Sequence, residues 1–369
     1  MKLQTKDNYG CNMEKYVRFD KSMTAVVKGF AIIFMMLLHC YGKGYDAPVD
    51  YSHSLFTGVS EMFKICVGMF CFMVGYGYAF SRNKDAKYSW QHIKKLLIPF
   101  WVILFIFTLP FCIREVAATD TVTLLYNLVG IDSHFNYYSW FVYYFIFTMI
   151  VMPFVARFIN RKPLLNTVIA IVVSLLLSIG AHEIPRLMSW VGVQMADIVD
   201  NKPLLALFFC LNMLPVTLLG YLFAHEGYYE RINVGNRPKW VTLLLCLAAM
   251  VLALVLHYFW SPIYIPFQFD FFYAPLMIGG IVVMFNTFEW RPVKAVMMKL
   301  GEVSVYMWFF HALFFTKVVS WFYQPAITIF SDVNLVVLWA IVLTFFASWL
   351  IKTIVDGVVN VLSGSGKRV

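Results

Sequence analysis

The sequence predicts an all-α, polytopic integral membrane protein of about ten transmembrane helices, with both termini cytoplasmic. Three observations carry that expectation. Of the 369 residues, 61% are hydrophobic and 13% charged, with 36 Phe, 21 Tyr and 11 Trp, a composition whose surface water cannot solvate. The apolar residues fall in unbroken runs of about 20, the length that crosses a bilayer as a helix, rather than in the ten-residue alternation of a membrane barrel. The basic residues collect in every second connection, as the positive-inside rule requires.

The predicted spans are about 23–42, 59–80, 96–113, 138–156, 164–181, 204–224, 240–258, 268–288, 301–320 and 333–355. An even number puts both termini on one side. On that side lie Lys2 to Lys21, Arg82 to Lys95, Arg157 to Lys162, Arg231 to Lys239, Arg291 to Lys299, and Lys352 to Arg368. The other side holds only Lys43, Lys64, Arg114, Arg186, Lys202 and Lys317. This asymmetry orients the first side toward the cytoplasm. The expected division is a cytoplasmic segment 1–22, one ten-span membrane domain 23–356, and a cytoplasmic tail 357–369.

Several function classes fall away at this stage. The net charge of +9 sits in short loops, and no segment is large enough to form a nucleic-acid module, so nucleic acid is not an expected partner. The seven cysteines, at 11, 40, 66, 71, 112, 210 and 246, have neither metal-ligand spacing nor the pattern of a disulfide framework, and no metal is expected. The first 22 residues lack an apolar h-region, so the first span is expected to remain in the mature protein. There is no Gly-x-Ser-x-Gly, His-Glu-x-x-His or Walker A sequence. Gly75-Tyr-Gly77 reads as close helix packing.

The chemistry-bearing residues begin in the first span, where Lys28 and His39 bracket an apolar run. Eleven residues at about 100° each make three turns and about 20°, so both side chains share one helix face, about 16 Å apart along the axis. An ionisable residue inside a membrane is a functional-site hypothesis by default. The second span opens with Glu61-Met-Phe-Lys64, an i,i+3 pair expected level with His39. Either the two charges satisfy each other, or Glu61 orients the His39 ring and raises its basicity. The segment Arg82 to Lys95, with His92, Lys94 and Lys95 near its end, has the charge a phosphate-bearing ligand needs, and also that of an ordinary positive-inside loop. Tyr138 and Trp140 belong to an aromatic run that can anchor at the interface or stack on a sugar ring. In the ninth span, with Ser304 and Tyr306, His311 lies too deep to snorkel and needs a polar partner or a water-filled cavity.

Taken in order, these pieces resemble acyltransferase family 3 of bacterial membrane proteins. That family carries Arg or Lys and then His in its first span, matched by Lys28 and His39. A Phe-rich second span ends in Ser-Gly-Tyr; here it is Phe70-Cys-Phe-Met-Val-Gly-Tyr76, with Val74 in place of the Ser. Arg-x-x-Arg before a Pro becomes His92-Ile-Lys-Lys95 before Pro99. The Trp-Phe of span 4, and Ser304, Tyr306 and His311 of span 9, fit more loosely.

The resemblance implies a multi-pass protein of the bacterial cytoplasmic (inner) membrane that is an O-acyltransferase. It would move an acyl group, acetyl first and succinyl second, from acyl-CoA to a sugar hydroxyl of a cell-surface or lipid-linked glycan. His39 would be the general base, with Lys28 and Glu61 beside it in the chemistry. Arg82, His92, Lys94 and Lys95 would hold the donor phosphates. Tyr138, Trp140, Ser304, Tyr306 and His311 would line the acceptor cavity. The lipid bilayer, acyl-CoA and the glycan are the implied partners; acyl-CoA is a substrate and no bound cofactor is implied. Two other readings stay open: a permease for a small polar solute using the Lys28–His39 face, and a scaffold subunit of a glycan-assembly complex.

Overall fold

A computed structural model of the chain describes residues 16–42, 58–81, 84–159, 200–260 and 269–362, with scattered positions between 160 and 199. Among the described residues, eight helices are long and apolar enough to cross a membrane, and one further pair qualifies as a broken span. The protein is therefore a multi-pass, all-helical membrane protein. The predicted fifth span, 164–181, lies outside the continuously described residues, as does Arg82.

Several helices start or stop for a local reason. Helix α1 (Lys21–Tyr41) is capped by Asp20, whose carboxylate accepts from the Met23 N–H at 3.0 Å. A short 3₁₀ turn, Ser60–Lys64, leads into α2 (Ile65–Ala79). Helix α3 (Ala86–Val102) begins about a turn and a half past Ala79 rather than at 96, because Asp85 caps it by accepting from Tyr88 N at 2.8 Å. From Ala86 onward the basic segment is thus helix, not loop. Pro99 sits inside it and cannot donate to the ladder. A π-turn, Ile103–Thr108, follows in which Leu109 N reaches back to Leu104 O.

Short helices α4 (Ile113–Ala118) and α5 (Thr121–Leu128) precede α6 (Trp140–Ile159). Helix α7 (Lys202–Glu226) starts at an Asn201 cap and ends at Gly227, whose φ of 62° is the left-handed turn that closes many helices. Then come α8 (Lys239–Trp260), α9 (Asp270–Thr287) and α10 (Arg291–His311). The expected ninth span, 301–320, is not straight. Arg291–Phe314 and Lys317–Ala326, the latter containing α11 (Lys317–Tyr323), meet at 91°. Helix α12 (Val333–Leu362) is last.

The centre of the bundle is α1, α2, α7 and α9, whose apolar windows are 61–72% buried, while α8 at 22% and α12 at 33% present their side chains outward to lipid. Glycines set the closest approaches. A Cβ on Gly29 would lie 2.1 Å from Met297 O, and one on Gly301 1.9 Å from Ala25 O. These reciprocal contacts bring α1 and α10 together backbone to backbone, as small-x-x-x-small pairs do in membranes. Gly75 against Thr217 O and Gly220 against Phe72 O do the same for α2 and α7. Gly77, expected to share that role, has nothing within 4 Å because it points away from α7.

Before α1, the chain is stitched to the bundle. Val17 N donates to Ile232 O at 3.1 Å, Arg18 N to Asn286 Oδ1 at 2.8 Å, and Phe19 stacks on Tyr76. Asp20 stands outside the membrane-spanning segments. Its partial burial works against ionisation, but hydrogen bonds from Met23 and Ser22 and the nearby Lys294 outweigh it and hold the carboxyl below its usual value.

Candidate active site

The close α1–α10 packing has one chemical consequence. With Gly29 and Gly301 locking the two helices in register, the last turn of α1 meets the last turn of α10, and His39 lies against His311. His39 Nδ1 and His311 Nε2 are 2.7 Å apart, and the rings are nearly parallel at 2°. His311 Nδ1 is 2.9 Å from Met307 O.

These two contacts determine where the protons sit in the neutral pair. A carbonyl oxygen only accepts, so His311 Nδ1 carries a hydrogen and its Nε2 is an acceptor. His39 Nδ1 then donates to that acceptor, which makes His39 Nε2 the lone-pair nitrogen of its ring. A histidine so held is a base whose tautomer is fixed by its neighbour.

A third ring completes the stack. Tyr138 lies 3.7 Å from His39, centroid to centroid, with the planes 7° apart. It is held by a strap of chain before α6 that is tied to α10. Trp308 Nε1 donates to Tyr138 O at 2.9 Å, Asn136 Nδ2 to Phe309 O at 3.1 Å, and Tyr137 N to Thr316 Oγ1 at 3.1 Å. Thr316 stands just where the ninth span bends, between Phe314 and Lys317, and the 91° break leaves its hydroxyl to accept from the strap.

His39, 6% exposed, borders a cavity of about 480 Å³. Met35, Leu38, Cys66 and Val67 form part of its apolar wall; Tyr138, Trp140 and Trp308 supply rings; Lys64 and Lys202 supply cations. A cavity of this size, apolar with a few convergent polar groups, is the usual form of a small-molecule site.

The remaining sequence candidates distribute unevenly. Tyr138 and Trp140 border the cavity as expected. His311 lies behind His39 rather than on the cavity wall, and its partner is His39 itself. Ser304 and Tyr306 are not among the described residues lining the cavity. Ser304 donates within its own helix to Gly301 O at 2.9 Å, and Tyr306 is buried lower on α10. Glu61 does not orient His39: it is the ion-pair partner of Lys64 in the 3₁₀ turn, and the ring is oriented by His311. Lys28 is half-buried, borders neither this cavity nor His39, and has no ion-pair or hydrogen-bond partner among the described residues.

The cytoplasmic candidates are spread around α3. His92 packs on Tyr88 and contacts its carbonyl at 3.0 Å. Lys95 is about 60° from it around the helix, but Lys94 is about 160° away. Lys94 is exposed and lies near the Trp90 ring instead. A basic residue not singled out by the sequence, Lys84, turns inward: its Nζ donates to Tyr221 Oη at 2.7 Å and sits over that ring. Burial lowers the Lys84 ammonium from its usual value.

A second histidine pair was also not anticipated. His257 Nε2 is 3.0 Å from Asp270 Oδ1, both side chains 1% exposed, in a contact that is close but poorly aligned for a hydrogen bond. Two ionisable residues facing each other across the short connection between the seventh and eighth predicted spans were the available signal.

A fixed-tautomer imidazole at one end of a membrane bundle, facing a ring-lined cavity, defines an integral membrane protein with a candidate acid–base site. Residues 25–353 match the family model described as an acyltransferase domain, Acyl_transf_3, and the chain belongs to this family, acyltransferase family 3. Membership implies that it is a membrane acyltransferase. No curated protein and no solved structure matches the chain.

Proposed function

We propose that the protein is an O-acyltransferase that moves an acyl group, acetyl or succinyl, from acyl-CoA to a sugar hydroxyl of a cell-surface or lipid-linked glycan, with His39 as general base. The observation that carries this reading is the bordering of the cavity by a histidine whose tautomer is set from behind by His311.

In the proposed step the acceptor hydroxyl gives its proton to His39 Nε2 as its oxygen attacks the thioester carbonyl. The new C–O bond forms, the C–S bond breaks, and the leaving thiolate takes the proton from His39. While His39 carries that proton, its Nδ1–H still has the His311 lone pair to donate to, and the Met307 carbonyl supports His311 in turn. The Tyr138 face lies against the transient imidazolium, an arrangement favourable for a cation. A positioned base of this kind is worth about 10² to 10⁴-fold in rate.

The donor reading is a separate part of the proposal. Under the orientation expected from the basic residues, CoA arrives at the opposite end of the bundle from His39. Lys28 is about 16 Å from His39 along α1, so its role is to hold the donor and not to contact the reacting atoms. His92 and Lys95 share a helix face suited to the CoA phosphates, with Lys84 nearby in sequence; Lys94 is left out of this set by its position around α3. The site belongs, in this reading, to the bacterial inner membrane.

The test is incorporation of radiolabelled acetyl from acetyl-CoA, or succinyl from succinyl-CoA, into envelope glycan by membranes carrying matched amounts of wild type, His39→Ala or Lys28→Ala. Label with wild type that is lost with His39→Ala is the expected result. Label that persists with His39→Ala, or no wild-type label from either donor on any envelope acceptor, contradicts the proposal.

A further inference from the structure

The cavity at His39 does not end at the strap. A second cavity, of about 580 Å³, adjoins it, and the two share Asp132, Ser133, Tyr137 and Lys202. The second continues outward to Thr123, His134 and Lys317. The four shared residues set the two cavities side by side, and we treat them as one groove with His39 on its inner part and Lys317 on its outer part.

The charge of this groove is unusual for the end of the protein that it occupies. That end is the one poor in Lys and Arg. Its described cations are Lys64, Arg114, Lys202 and Lys317, and all but Arg114 line the groove. Lys64 is offset by Glu61. Lys202 has no ion-pair or hydrogen-bond partner among the described residues, and both it and Lys317 are exposed. The acid lining the groove, Asp132, is turned toward backbone and accepts from His134 N at 2.8 Å. Tyr137, 49% exposed, lines both cavities as Lys202 does, and offers a ring face of the kind on which a sugar can lie.

We propose that this groove is a subsite for an anionic saccharide: Lys202 and Lys317 hold a carboxylate or phosphate on the acceptor while a neighbouring sugar ring extends past Tyr137 to His39. The inference rests on the acyltransferase reading for the identity of the acceptor, but it concerns binding and is testable without any donor. Charge-assisted hydrogen bonds from two ammonium groups give the groove its preference for an acidic glycan over a neutral one of the same shape. The Tyr137 face gives affinity to both.

The experiment is equilibrium binding to the full chain in detergent, read by intrinsic tryptophan fluorescence. Two matched pairs serve as probes: digalacturonate against its dimethyl ester, and galactose 6-phosphate against galactose. At low ionic strength the charged member of at least one pair is expected to bind about tenfold tighter, the effect of one net charge-assisted hydrogen bond. The pair that shows the preference identifies carboxylate or phosphate. The preference should shrink with added salt and vanish in the double variant Lys202→Gln/Lys317→Gln, with thermal melting confirming that the variant is folded. Equal binding within both pairs, absence of binding, or a preference that survives in the double variant overturns the proposal. Loss of coenzyme A affinity in that variant also overturns it, since the lysines would then serve the donor. Because no acyl transfer is measured, failure here leaves the transferase assay untouched, and failure of that assay leaves the binding preference measurable.

Discussion

Two histidine pairs are buried among the described residues, and they are built on opposite plans. His39–His311 joins two rings in a stack with Tyr138, and one ring borders a cavity of about 480 Å³. His257–Asp270 joins a ring to a carboxylate, with both side chains 1% exposed and neither bordering that cavity. Either pair alone fits the rule that ionisable residues inside a membrane mark function. Set side by side, the two pairs differ in access to that cavity and not in burial or titratability. One ring of the first pair borders space that a substrate can enter. The second is packed against Gly68, where even a Cβ would meet the Asp270 carboxylate at 2.8 Å.

The contrast can be broken most sharply at Asp270. Replacing it with Ala leaves His257 buried without its acid, and we expect a stability loss of about 3–5 kcal/mol, read as a lower melting temperature of the detergent-solubilised protein. Transfer per folded molecule should stay near wild type. Next in size, His311→Phe keeps a stacked ring but removes the acceptor behind His39 Nδ1. Losing a hydrogen bond to a ring that becomes charged in the proposed step costs about 1.5–3 kcal/mol, which should appear as a lower kcat with little change in melting temperature. The opposite split, a lower melting temperature with unchanged kcat, would make the first pair structural as well. Gly68→Val pushes a side chain into the Asp270 carboxylate, with an expected loss of about 1–3 kcal/mol in a thermal or denaturant melt. Gly77→Ala, with open space around it, serves as the matched control and should be near neutral.

The smallest effect lies at the far end of α1. Asp20→Ala removes the cap and should cost about 1 kcal/mol. Because the Asp20 pKa is lowered in the folded protein, its contribution is present above the unfolded carboxyl value. It is lost as pH falls through the lower folded value. A melt of wild type against Asp20→Ala should therefore differ at neutral pH and converge in strong acid.

Much of this was legible in the sequence, and for identifiable reasons. Spans are written as contiguous apolar runs, so the first, second, sixth, seventh and eighth predicted boundaries agree closely with helices that run Lys21–Tyr41, Ser60–Ala79, Lys202–Glu226, Lys239–Trp260 and Asp270–Thr287. The third starts earlier than expected because hydropathy does not register a polar helical turn, whereas the Asp85 cap creates one. His311 was readable as a residue in need of a partner because of its depth. Which partner was not readable: the 272-residue separation between His39 and His311 is closed by glycine contacts that one sequence does not align. The same blindness left Glu61 between two readings, since an i,i+3 pairing with Lys64 and an approach to His39 look alike in one dimension. It also hid the strap, whose hold on Tyr138 comes from Trp308, Phe309 and Thr316 at a distance in the chain. Lys202 and Lys317 passed as ordinary loop charges until the fold put them on one groove.

The comparison of the two pairs reduces to one measurement: the rate of acyl transfer per folded molecule for His39→Ala and His257→Ala, with folded protein quantified in the same membranes. A general-base role for His39 predicts a loss of about 10² to 10⁴-fold for His39→Ala and a near-wild-type rate for whatever His257→Ala remains folded. A wild-type rate with His39→Ala, or an equal collapse per folded molecule in both variants, would contradict it.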